Sequence, residues 1–133
     1  MKPIILLVAL GLILSACGAP QPAPIVATAV TADSPAYAKL ALIESESPRP
    51  PVALVEAFRV SMDSLSKKCH GETPEHLAAL IIKSQELLRE KNIDVKLSEI
   101  ARQVDRSLPA DAQIAQCSDV FAAFVTLTIN QSN

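Results

Sequence analysis

The sequence predicts an all-α protein built as a small four-helix bundle. Beyond residue 17 the only glycines are Gly18 and Gly71, and so few disfavour a turn-rich β fold. From Val52 onward, apolar residues recur at steps of three and four, the period of a single helix face. The breaks between these stripes are short and carry proline, asparagine or glycine, so the helices follow one another through short loops and pack as a bundle.

The chain opens with Lys2 and an apolar run from Ile4 to Leu14. This is the charge and length of a signal-peptide start, and it falls short of the ~20 residues that a membrane-spanning helix needs. Leu14-Ser15-Ala16-Cys17 follows. A cysteine directly behind a small-residue pair and a hydrophobic segment resembles the lipobox of bacterial lipoprotein signal peptides. That resemblance implies removal of residues 1–16 and lipidation of Cys17, which becomes the first residue of the mature chain. In such lipoproteins an Asp after the cysteine often retains the protein at the inner membrane. Here Gly18 stands in that place, which implies the outer membrane, on its periplasmic face. The membrane is then reached through the lipid anchor, and several acyl chains hold firmly where one binds only marginally. An uncleaved anchor is the alternative reading of the same run.

Cleavage leaves about 117 residues, enough for one small domain. The mature chain is mildly acidic, and its charges are interspersed without a basic block. That pattern argues against nucleic acid as a partner, which calls for a basic face. With one Tyr, three Phe and no Trp, platforms for stacking bases or sugars are nearly absent.

Residues 17–50 read as a tether. Gly-Ala-Pro-Gln-Pro-Ala-Pro after Cys17 removes backbone donors and favours an extended chain. Residues 35–46, with Tyr37, Leu40 and Ile43 at helical spacing, fit either a short helix or a continuation of the tether. The helical domain then spans 51–130. Val55, Phe58, Met62, Leu65 and Cys69 form the stripe of its first helix, entered through Pro50-Pro51 and closed at Gly71 in the left-handed region. Thr73-Pro74-Glu75 starts the second helix, with a capping hydroxyl, a proline at the first position and a carboxylate at the positive end of the dipole. Its stripe is Leu77, Leu80, Ile81, Leu87 and Leu88. Asn92 fits its stop and Asp94 the cap of a third helix carrying Leu97, Ile100, Ala101 and Val104, which ends before Pro109. Asp111 fits the cap of a fourth helix carrying Ile114, Cys117, Phe121 and Phe124. The β-branched tail to Ile129 has strand propensity, but helix is preferred because no partner strand is in view.

Once Cys17 is lipidated, Cys69 and Cys117 remain. The periplasm implied by the lipobox is oxidising, so this even pair reads as a disulfide. A free redox thiol is the alternative, although neither cysteine stands in Cys-x-x-Cys.

No set of residues for catalysis emerges. Cys69, His70, Glu72, Glu75 and His76 match no zinc spacing, and no metal site is expected. Ser64-Leu65-Ser66-Lys67 matches the Ser-x-x-Lys of penicillin-interacting enzymes but lacks their other motifs. No glycine-rich phosphate loop is present. Neither an enzymatic activity, nor a cofactor, nor a small-molecule substrate is expected.

The stretch from Leu65 to Val125 resembles the pilotin lipoproteins of type II secretion systems, the PulS/OutS type. Leu65-Ser66-Lys67-Lys68-Cys69 closing a helix carries the likeness, with Thr73-Pro74 opening the next. So do Glu90-Lys91-Asn92-Ile93-Asp94 between helices and Gln116-Cys117 before Phe121-Ala122-Ala123-Phe124-Val125. The interval between the cysteines also fits. The family often has Gly-Trp-Asp where this chain has Asn92-Ile93-Asp94, so that turn packs differently.

The resemblance implies a protein that binds the C-terminal segment of a secretin and rides the lipoprotein-sorting machinery to the outer membrane. A secretin tail folding as a helix against an apolar groove fits such binding. The expected groove residues are Leu54, Phe58, Met62, Leu65, Phe121 and Phe124, partly exposed in the free protein. Their alternative role is plain core. A structural or conjugation-related envelope lipoprotein without a secretin partner is the second functional reading.

Overall fold

The computed structural model describes residues 28–132. The expected leader, Cys17 and the start of the tether lie outside them. The described residues form five helices and no strand: α1 (Ala36–Ser45), α2 (Val52–Lys68), α3 (Pro74–Arg89), α4 (Leu97–Ser107) and α5 (Cys117–Gln131).

The fifth helix is the one at residues 35–46 that sequence left open. It belongs to the folded body: Ala36, Ala38, Leu40 and Ala41 are buried, and α1 packs on α2, α3 and α4. Pro50 in the following loop is also buried. The domain therefore begins well before the expected boundary at 51. Even Val30 is held, its N–H donating to the Pro48 carbonyl at 3.0 Å. Periodicity understated α1 because it is short and is capped by no side chain at Pro35. Glu46 ends it in the left-handed region at φ 52°.

The starts and stops of α2 and α3 follow the sequence. Lys67 and Lys68 sit in the last turn of α2, where cations suit the negative end of the dipole. Gly71 takes φ +84° in the turn, a conformation strained for any residue with a Cβ. The Thr73 hydroxyl accepts from the His76 N–H at 3.1 Å, with Pro74 in the first turn. Asn92 adopts φ 59° after α3, as a stop residue does.

Two expected caps are not used. Lys96, not Asp94, precedes α4, and no side chain of its own caps that helix. Asp111 does not start the last helix either. Residues 109–116 form a loop, and α5 begins at Cys117. The loop is pulled onto the end of α2, where Ile114 N–H donates to the Lys68 carbonyl and His70 N–H to the Ile114 carbonyl, each at 2.8 Å. This pairing spends the backbone of Ile114 in a short bridge to Cys69 and so keeps it out of the helix. The β-branched tail is helical. The hydroxyls of Thr126 and Thr128 bond back to the carbonyls of Ala122 and Phe124 at 2.9 and 2.8 Å, which satisfies them inside an apolar helix.

The core lies between α2, α3 and α4, with α1 against one side and α5 against another. Phe58, Leu65, Leu77, Ile81, Leu88, Leu97, Ile100 and Val104 are fully enclosed in it. α5 packs on α3 and α4. Cys69 and Cys117 form the expected disulfide, with Cα atoms 5.6 Å apart. It ties the end of α2 to the start of α5 across 48 residues.

Candidate functional site

The six expected groove residues do not share one surface. Phe58, Met62, Leu65 and Phe121 are buried in the core, which corrects the expectation that their stripe stays partly exposed. The reason is α1: a helix that sequence left undecided joins the bundle, and the core closes around the stripe of α2. Leu54 and Phe124 are half-buried and pack against the core edge. Cys69 and Cys117 are enclosed and serve the disulfide.

The chemistry-bearing groups are scattered. Ser64 is half-buried and Lys67 exposed, and neither donates to the other. His76 Nδ1 meets the Glu72 carboxylate on the exposed turn before α3. Among the described residues no three His, Cys, Asp or Glu side chains gather in an arrangement fit to hold a metal ion. No helix among them is long and apolar enough to cross a membrane.

Polar groups inside the fold are used for construction. The Lys68 ammonium donates to the Asp105 carboxylate at 2.8 Å and to the carbonyls of Asp105 and Leu108 at 2.7 and 3.2 Å, closing the C-terminal end of α4. Gln85 donates to the Val95 carbonyl at 2.7 Å, fixing the α3–α4 connection. On the surface Arg59 bridges Glu56 and Asp63, with contacts of 2.6 and 2.9 Å. The hydrogen bond from its guanidinium holds the Glu56 carboxyl below the usual range. Glu99 is likewise lowered, first by the hydrogen bond from the Gln103 amide and then by Arg102.

What the surface offers is apolar relief between helices. Ile43, Val52, Val60 and Leu127 are exposed, and three open furrows hold three of them. The furrow between α2 and α4, about 680 Å³, is floored by Ala53, Ala57 and Val60 and rimmed by Glu56, Glu99 and Arg102. The one between α1 and α3, about 240 Å³, runs past Ile43, Ala79 and Ile82 between Lys39 and Glu75. The one between α4 and α5, about 360 Å³, is lined by Phe124, Leu127, Gln103, Arg106, Ser107 and Gln131. Of the expected groove residues, Phe124 lines one of these three furrows, and Phe121 lines a smaller hollow between α3 and α5. Sequence reasoning missed Leu127 and Arg106. Their signal was the scarcity of charge in the last helix, where Asp119 is the single charged residue. A search of protein families, curated proteins and solved structures finds no match for this chain.

Proposed function

We propose that this protein is a lipid-anchored pilotin: it binds the C-terminal segment of a secretin and carries it to the outer membrane for assembly of a secretion system. The observation that carries the reading is a lipobox at Cys17 joined to a small helical domain whose other two cysteines are bridged to each other. Such a molecule has a membrane address and a binding body. The body carries exposed apolar residues between helices, as helix-in-groove recognition requires, and its buried polar side chains are occupied in holding the fold. Non-covalent binding plus anchoring, rather than catalysis, is the work this arrangement suits.

The test is made in cells that lack the gene. The secretin should then leave the outer membrane, and the wild-type chain should restore it. Cys17→Ser should fail to restore it while the domain stays folded. A secretin located normally without the protein, or full rescue by Cys17→Ser, overturns the proposal.

A further inference from the structure

We infer that the apolar cavity at the starts of α1 and α2 is the seat of the chain's own entering segment, with Ile25 and Val26 as its occupants, so that the tether is fastened to the domain before it reaches α1.

The cavity, about 370 Å³, lies between Tyr37 and Ala38 of α1, Pro50, and Val52 and Val55 of α2. The entering chain supplies its remaining wall. Thr28, Ala29 and Val30 line it in succession, and the Val30 N–H donates to the Pro48 carbonyl at 3.0 Å. The chain therefore runs along the cavity, and Thr28 is still against it. The next residues upstream cannot be far away. Chain geometry keeps Val26 within about 7 Å of Thr28 and Ile25 within about 11 Å, whatever path the backbone takes. A covalent neighbour at that range has an effective concentration that a free partner must outcompete.

The chemistry of cavity and segment matches. No residue lining the cavity is charged, whereas the three furrows carry Glu56, Lys39 or Arg106. Val52 stays 42% exposed at its edge, and Tyr37 is half-buried. The sequence from Gly18 to Ala32 is uncharged, and between Cys17 and Thr28 the large aliphatic residues are Ile25 and Val26. Seating them covers Val52 and the Tyr37 ring without desolvating a charge.

One consequence rests on the lipidation of Cys17. The free leash shortens to residues 17–24, which span at most about 26–29 Å. The end of the domain where α1 and α2 start is thereby turned toward the membrane.

The full chain in phosphatidylcholine vesicles carries its own probe. Tyr37 is the single Tyr and there is no Trp, so tyrosine emission reports on this cavity. Ile25→Asp combined with Val26→Asp should shift the acrylamide quenching constant of Tyr37 upward, and Gln21→Asp should leave it at the wild-type value. All three positions precede the helices, so circular dichroism should be unchanged. As a second measurement, Ile25→Cys with Val52→Cys should bridge within one molecule under mild oxidation, read by mass, and Gln21→Cys with Val52→Cys should not. Unchanged quenching in the double variant overturns the inference. So does a Gln21→Cys bridge that forms as readily as the Ile25→Cys one, or a bridge between two molecules, which assigns the cavity to a second copy. None of these readings needs a secretin, so their failure leaves the carrier reading standing.

Discussion

Glu44 of α1 caps α4 from another helix. The backbone N–H and the hydroxyl of Ser98 both donate to its carboxylate, each at 2.7 Å. A carboxylate on the first turn satisfies an otherwise orphaned donor and complements the positive end of the helix. It also explains how α4 starts after Lys96, whose own side chain supplies no cap. Glu44→Ala should therefore lower stability by about 1–2 kcal/mol, read as a reduced urea midpoint. An unchanged midpoint would mean that α1 is not needed to start α4.

Lys68 closes the opposite end of the same helix. Its side chain is 10% exposed and that of Asp105 20%, so removing the ammonium leaves a carboxylate and two carbonyls poorly solvated. Lys68→Met is expected to destabilise by about 2–3 kcal/mol. Pairing it with Asp105→Leu should restore part of that loss, and a double-mutant cycle by denaturation measures the coupling.

The Cys69–Cys117 bridge should appear intact in non-reducing mass analysis of the purified chain. Replacing both cysteines by alanine should lower stability by about 4 kcal/mol in the chain-entropy account of a loop this long. Two freely alkylated thiols in the native protein would exclude the bridge.

Phe58 distinguishes core from docking surface. It is fully enclosed, so Phe58→Ala should cost about 3–5 kcal/mol in folding stability. A variant that keeps full thermal stability while losing a binding partner would return Phe58 to the surface role.

Glu99 has a pH signature. Its folded pKa lies below the ordinary glutamate value because of the Gln103 amide first and Arg102 second. The stability this contributes is complete above the ordinary value and is lost as pH falls through the depressed one. The side chain is about one-third exposed, so the effect on stability is small. The carboxyl carbon resonance shows it directly: Gln103→Leu should move the midpoint upward, toward the ordinary value.

The helical class and the cysteine pair were legible because both rest on local signals: a three-to-four step of apolar residues, a Thr-Pro-Glu start, and a single pair of thiols beyond Cys17. α2 and α3 carry such signals at both ends. α1 was ambiguous because its evidence is tertiary: Ala36 and Ala41 are core only because other helices come to meet them. The same tertiary control moved the caps. Asp94 and Asp111 have the right chemistry, yet Glu44 arrives from 54 residues away and the Ile114 bridge delays α5. The surface was the least legible part. An apolar stripe states that a face is covered, but not by what, and Phe58 and Phe124 look alike until the packing of α1 and α5 distinguishes them.

The bridge between α2 and α5 also sets how the protein bears tension. A pull between the N-terminal end and a point on α5 follows the covalent chain into α2, crosses at Cys69–Cys117, and passes into α5. The 48-residue span between the cysteines is outside that load path. Fully drawn out it would add about 160–170 Å of slack, and the bridge withholds all of it. With α3 and α4 unable to unravel under load, what remains extensible is the Val30–Pro48 contact, α1 and α2 before the bridge, and the part of α5 beyond it.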